Sequence, residues 1–559
     1  MTWRRASARW FLILAGGGAF AILGPQHRAE GAPAPSVVSL FQDWRRFVVP
    51  KQVDGAADFS AAALSEKRAG IEPYRRRIDA LAASAHNRES QVDLDLIRAE
   101  VDGLDFDLRV LQPWSRDPSF YRTVFGEESD VPAHEGQSAD VIDLFKYRYP
   151  LSAGDAASLA NRLRGVPRLL ARARVDLQGS NAADLWRYGD RTFTHQEKIL
   201  SQLLDGSLTM RTFNGHENAS LKGAPEAVRK AAQDAMVATR EFRDWVKAQA
   251  PTKNGPSGVG IENYDWYMQH VQCVPYSWAE QVVLLKRELA RADAALAEEE
   301  WHHRALPPLK ADRTPAAYRA FDDARMATYV NFVMDNRFAP DEARYRAALA
   351  AQKIGYVAPG ERDFFSNVTS LDPLPLYSHD IHWVELAKIR FEPNADPVRA
   401  GAPLFNIYAA RSEGFATGFE ELVMRAGLYD SEPRGRELVW IMLANRAARG
   451  LASLYVQANR MDLAMAGKFH AAHTPRGYSD PDTPLVGFEQ MLYLRQPGYG
   501  TSYVTGKILM DRTIAEYTQQ KGVPGSPATL PDALNAIYGV GIVPWPLVEK
   551  ALDLKPLTP

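Results

Sequence analysis

Leu94-Asp-Leu-Ile-Arg-Ala-Glu-Val-Asp-Gly-Leu-Asp-Phe-Asp-Leu-Arg-Val-Leu111 is the stretch that decides the fold class. Its apolar residues Leu94, Ile97, Val101, Leu104, Leu108 and Leu111 step by three and four, which lines one face of an α-helix. The same texture recurs outward along the chain. Ser277 followed by Glu280 forms a capping box, and Val282, Leu285, Leu289, Ala292 and Leu296 make the stripe of a second helix. Lys286, Arg287 and Glu288 fall on its opposite face and are expected in water. Residues 438–444 are apolar nearly all round, as a helix in the deep core must be. Period-two alternation is scarce, and residues 404–410 hold the best candidate for a small β element. The reading is mainly α: a large multi-helix, two-lobed body around a deep cleft.

The chain has 559 residues, enough for three or four ordinary domains, and 46% of them are hydrophobic, which excludes wholesale disorder. Its net charge of −2 argues against a dedicated nucleic-acid binder. Cys273 is the only cysteine. One thiol excludes an internal disulfide, a zinc ribbon and a cysteine-held iron–sulfur cluster. Any transition-metal site must therefore rest on His and carboxylate, and Cys273 reads as a small core residue.

The N-terminus is an address. Arg4, Arg5 and Arg9 precede the apolar residues 10–23, and Gly31, Ala32 and Ala34 follow. These are the parts of a signal peptide, assigned to residues 1–33, with no cysteine near its exit for lipid attachment. An uncleaved anchor is the plainer alternative, but no later segment is long and apolar enough to span a membrane. A periplasmic or secreted protein follows. Gly and Pro cluster most usefully at residues 251–260, which divides the chain into an N-terminal half, 34–250, and a C-terminal half, 251–559.

Most of the candidate chemistry lies in the second half. Two His-x-x-His pairs occur, His379/His382 and His470/His473. Residues three apart on a helix can share a ligand. Asp380 stands where a zincin carries its general-base Glu, and Glu385 extends the face of His382 by a turn. Ordinary cleft or cap histidines explain such a pair equally well. Downstream, Glu413 and Glu420 sit seven apart, two helical turns on one face, where a zinc site would find its third ligand; a helix-start Glu with its partner in water is the plainer reading. A third block runs from Arg495 through a Pro-Gly turn to Tyr499, Tyr503 and Lys507 at helical spacing. Phenols and cations so aligned can support an oxyanion or hold a carboxylate, or simply pack on the core.

Taken together, these blocks resemble the bacterial domain-of-unknown-function 885 family, relatives of helical neurolysin-like zinc metallopeptidases. The resemblance covers residues 41–512. It is carried by Glu413-Gly-Phe-Ala-Thr-Gly-Phe-Glu420, Gly427-Leu-Tyr-Asp430, Arg446-Ala-Ala-Arg-Gly450 and Tyr493-Leu-Arg-Gln-Pro-Gly498, continuing to Tyr503-Val-Thr-Gly-Lys507. The family writes Trp where Phe415 stands. Its metal helix, His-Glu-x-x-Pro-Gly-His-His, falls at His379-Asp-Ile-His-Trp-Val-Glu385, without the Pro-Gly insertion and without the Glu. Its downstream acid and imidazole are replaced by Ser453 and Gln457. The resemblance implies an exported metal-dependent hydrolase, most simply a peptidase. His379, His382 and Glu413 would hold Zn²⁺, which activates a water. Asp380 or Glu420 would serve as base, Tyr499 or Tyr503 would support the oxyanion, and Arg495 or Lys507 would bind a peptide or small-molecule carboxylate. The alternative is a non-catalytic periplasmic binding or scaffolding protein that keeps the fold. A hydrolase built on His470/His473 ranks below both, because no carboxylate follows that pair before Asp480.

Overall fold

The computed structural model describes residues 36–557, apart from residues 54 and 524. The expected signal peptide lies outside the described residues. Among the described residues the chain folds mainly as helices, and its strands form three two-stranded sheets. One continuous apolar core runs from Leu40 to Val548. No helix among the described residues is long and apolar enough to cross a membrane.

The opening stretch forms α1, Arg88–Phe106, with Leu94, Ile97 and Val101 fully inside. Its last turn widens into a π segment, Asp107–Leu111, and stops at Gln112, whose φ is +42°. The element expected at 404–410 is a turn rather than a strand. Phe405 and Asn406 take φ of +56° and +52°, left-handed values that no strand accommodates. The Phe405 ring lies on Gly103 of α1, where a Cβ would meet it at 2.6 Å. The longest sheet is instead a hairpin of β1, Leu208–Thr212, and β2, Gly215–Ala219. Leu208, Met210 and Thr212 alternate inward, and Gly215 at φ +98° follows the two-residue loop.

Helix α2, Trp278–His302, opens with the capping box of Ser277 and Glu280 and buries its predicted stripe. Glu288 is inside rather than in water. It pairs with Arg287 and Arg291, and Arg291 also reaches Glu421 on a neighbouring helix, so this side of α2 is covered as well. Cys273 is half-buried at φ +52°, and burial pushes its thiol up to about 12.

Seven of the later helices frame the site: α3, Leu374–His379; α4, His382–Phe391; α5, Ala409–Arg425; α6, Gly435–Gln457; α7, Leu463–Ala472; α8, Pro484–Arg495; and α9, Tyr499–Gln520. The apolar segment of α6 is buried on every side, packed by α2, α7, α8 and α9. Helices α5 and α9 cross where Gly414 meets the backbone of Gly506. A Cβ on Gly506 would fall inside the van der Waals envelope of the Ala410 carbonyl. Gly450 of α6 likewise faces the carbonyl of Gly500 on α9, 2.6 Å from an added Cβ. Small residues at both crossings bring α5, α6 and α9 to backbone contact, and that closeness sets the site.

Candidate metal centre

His379 and His382 do not share one helix. Asp380 and Ile381 break the chain, so His379 ends α3 and His382 begins α4. The rings stand nearly perpendicular, 88° apart in plane, with centroids separated by 4.9 Å. Helix α5 supplies the third group: Glu413 Oε2 lies 3.3 Å from His379 Nε2 and 3.5 Å from His382 Nε2. One ligand atom from each of the three residues lies within 4.8 Å of the others.

Each imidazole is braced from behind. His379 Nδ1 lies 2.8 Å from Glu420 Oε1 and 3.1 Å from Arg446 Nη2. It can donate to the first or accept from the second, and with the proton on Nδ1 the Nε2 lone pair faces Glu413. Glu420 is itself clamped by both terminal nitrogens of Arg446 at 2.6 Å, with both side chains buried. His382 Nδ1 meets Ser412 Oγ at 3.2 Å. Glu413 Oε1 accepts from the Tyr499 hydroxyl at 2.6 Å, and the same hydroxyl lies 2.7 Å from Glu135 Oε1.

Whether these residues suit a cation is decided by their free atoms. His382 Nε2 and Glu413 Oε2 are buried and have no hydrogen-bond partner. Orphaned buried groups cost about 1–3 kcal/mol each. Two ligands at about 2.0–2.1 Å from a tetrahedral zinc stand about 3.3 Å apart, close to the spacings from Glu413 to the two histidines. A two-histidine, one-carboxylate donor set with braced imidazoles therefore fits Zn²⁺. Without metal, charge does the same work. Burial lowers His382 but Glu413 outweighs it and holds the imidazole up to about 9. Burial raises Glu413, yet His379 and His382 carry it well below the usual carboxylate range.

The cluster opens on a cavity of about 630 Å³, lined among others by Arg122, Glu135, His195, Arg211, Asp380 and Tyr503. Asp380 sits on its wall, 3.7 Å from Arg211. Burial raises it to about 7, Asp130 adds to the rise, and Arg211 and the two histidines oppose it. The Tyr503 ring stacks on His379 at 6.2 Å, and its hydroxyl has no hydrogen-bond partner among the described residues. Three expected residues are engaged elsewhere. Glu420 backs His379 and is no lining residue. Arg495 reaches the cavity but is held by Asp117 at 2.5 Å and by the Gln137 carbonyl. Lys507 is not brought to the cavity; it pairs with Glu421 and Asp511 in a separate pocket. Glu385 turns from the cluster to the buried Arg411 at 2.7 Å.

Sequence reasoning missed Glu135, Arg122 and the bracing role of Arg446. The first two lie outside helices, in segments with no periodicity to single them out. Burial, together with Asp130 and Glu413, raises Glu135 to about 7 against its hydrogen bond from Tyr499.

Fold and cluster together define a large helical protein with a buried histidine, a part-buried histidine and a buried carboxylate beside a cavity. More than half of the chain, residues 48–349, matches the family described as "Bacterial protein of unknown function (DUF885)", and the chain belongs to that family. The match ends before His379, so the candidate cluster lies beyond it. Two solved structures share the fold. One is described as "a putative lipoprotein of unknown function" from Shewanella oneidensis, with 14% identity, coverage of 93% of this chain and 100% of that one, and a TM-score of 0.61. The other is "the putative lipoprotein" from Colwellia psychrerythraea, with 14% identity, coverage of 92% and 98%, and a TM-score of 0.60. Neither description names an activity. No curated protein matches the chain.

Proposed function

We propose that this protein is an exported, metal-dependent hydrolase acting on peptides, with His379, His382 and Glu413 as its metal ligands. One observation carries the reading: two buried ligand atoms without a hydrogen-bond partner, His382 Nε2 and Glu413 Oε2, cluster with His379, and His379 and Glu413 line a cavity. Zn²⁺ bound there supplies a Lewis acid that polarises a carbonyl and acidifies water.

The chain's own residues do the rest. Glu420 and Arg446 fix the tautomer and orientation of His379, and Ser412 orients His382. Tyr499 has one proton for two carboxylates, so the second short contact takes a proton on a carboxyl. Glu135, raised to about 7, is the group placed to hold it at the cavity edge. Asp380, another lining residue, is the base, and Tyr503 has a hydroxyl free to donate to a developing oxyanion. Export is supported by the leader-like residues 1–33 and by the lipoprotein descriptions of the two structural neighbours.

Metal analysis of the purified protein beside a His382→Ala variant tests the ligand set. About one equivalent of metal is expected in the wild type, and a background level in the variant. Equal content in both rejects the site and leaves the non-catalytic binding protein as the reading. Digestion of a peptide library with and without chelator then tests the activity; cleavage indifferent to chelator rules out a metal-dependent hydrolase.

A further inference from the structure

Five arginines line the cavity: Arg122, Arg211, Arg446, Arg449 and Arg495. Four of them have a carboxylate within 4 Å, namely Asp130 for Arg211, Glu420 for Arg446, Glu489 for Arg449 and Asp117 for Arg495. Arg122 differs. Its recorded polar contact is Nη2 to His195 Nδ1 at 3.4 Å, a long approach to an uncharged ring. Burial and Arg122 itself hold His195 down to about 4, so that ring is neutral and offers no countercharge. Arg122 Nε is buried without a partner. Its guanidinium lies over the Phe125 ring, 4.4 Å from the centroid, which fixes its plane. Glu127 and Glu135 attract it through space without pairing with it.

A planar guanidinium with free donors and a fixed orientation is a receptor for a carboxylate, which it meets with two parallel hydrogen bonds. The surroundings narrow the anion. Glu127, Asp130 and Asp380 line the same cavity and repel a doubly charged group such as a phosphate monoester more strongly than a single carboxylate. Arg122 lines the same cavity as His379 and Glu413 of the cluster.

We infer that Arg122 binds the terminal carboxylate of a peptide, so that the cavity receives the free C-terminal end of its substrate rather than an internal segment. This deepens the peptide-hydrolase reading and rests on it for the identity of the chain. The carboxylate site itself does not require the metal. The role expected at the sequence level for Arg495 or Lys507 thereby passes to a residue that has donors to spare.

Calorimetric binding to the full chain tests this, with three N-acetylated tripeptides as probes: one with a free C-terminus, the same peptide as its C-terminal amide, and an amidated peptide carrying a central glutamate. The free acid is expected to bind at least about tenfold more tightly than its amide, as charge-assisted hydrogen bonds imply. In Arg122→Gln that preference should vanish, with metal content unchanged, and Arg122→Lys should restore part of it. Equal affinity for acid and amide in the wild type, binding of neither, or a preference that survives in Arg122→Gln each overturns the inference. Tight binding of the glutamate-bearing amide overturns its terminal part, since the site would then accept a side-chain carboxylate. Repeating the titration on chelator-treated protein separates the two ideas. A preference that persists there keeps the carboxylate site whatever the metal analysis of the untreated protein shows, and that analysis alone decides the metal reading.

Discussion

His379/His382 and His470/His473 have the same spacing and opposite fates. The first pair straddles a break between two helices, and its rings turn toward Glu413. The second begins inside α7 and ends on its C-terminal cap. There His470 Nε2 accepts from Asn445 at 2.7 Å, while His473 lies outside, its ring stacked on Phe469 and its Nδ1 donating to the Phe469 carbonyl. Burial and Arg449 hold His470 down to about 3, whereas Glu413 holds His382 up to about 9. An interval of three residues therefore does not make a site. What distinguishes the first pair is a helix break that aims both rings one way and a carboxylate delivered by a distant helix.

Removing the carboxylate should erase the difference between the two pairs. Glu413→Gln keeps the shape and deletes the charge that faces both rings. Metal affinity is expected to fall by more than about 100-fold, beyond the range seen when only an outer partner is lost. His470→Gln should keep the wild-type metal content. Elemental analysis after dialysis against a metal buffer reads both, and loss of metal from both variants would place the ion, or the fold's dependence on it, elsewhere.

The two regions also differ in how tightly their helices must meet. Gly506 lies against the Ala410 carbonyl and has no room for a methyl group, because the obstacle is backbone. Gly506→Ala should cost on the order of 3 kcal/mol, the upper end for overpacking. On α7, Gly467 faces a Val486 methyl 3.3 Å from an added Cβ. The gain in helix propensity, about 1 kcal/mol, should there offset the crowding. Urea unfolding of both variants measures the contrast, and similar midpoints would mean that the α5–α9 crossing can relax.

Much of this architecture is legible in the chain because burial is periodic. The stripe of α1, the capping box of α2 and the all-apolar segment of α6 are local patterns, and each appears where its period puts it. Glu288 escapes that logic because a second helix covers the polar face of α2 and supplies charge through the Arg291–Glu421 pair, which no local pattern encodes. The turn at Phe405 and Asn406 escapes it because alternation over four residues is too short to exclude left-handed backbone. The hairpin carries one local signal, Asn214-Gly215 after the alternating Leu208–Thr212, while Gly215–Ala219 shows no alternation. At the site, the histidines and Glu413 belong to the residue types and spacings that sequence reasoning can select. Glu135, Arg122 and Arg446 depend on tertiary proximity, and only the folded chain carries Tyr499 to Glu135 across 364 positions.

A gentler probe of the first pair is its outer support. Ser412→Ala removes the hydroxyl at His382 Nδ1 and leaves the three proposed ligands intact. The expected loss is about tenfold in metal affinity, the low end for an outer partner. Competition with a chromophoric chelator measures it. An unchanged affinity would show that packing around α4 alone orients His382, and that the braced-ligand picture applies to His379 only.

The second pair is sharpened by pH. Folding holds His470 at about 3 against an ordinary 6.5, so between those values the unfolded chain takes up a proton that the folded chain refuses. Stability from this residue is therefore fully present above 6.5 and is lost as pH falls toward 3. The loss between pH 7 and pH 6 comes to about 0.7 kcal/mol for one such group. His470→Gln can still accept from Asn445 and has nothing to titrate, so its urea midpoint should change less over that interval than the wild type's. The difference between the two changes isolates His470 from every other ionisable group. Equal changes in both proteins would mean that His470 is charged in the fold, with Glu489, 3.9 Å from its Nδ1, as the countercharge. The contrast with the first pair would then narrow to the helix break alone, since both pairs would own a carboxylate.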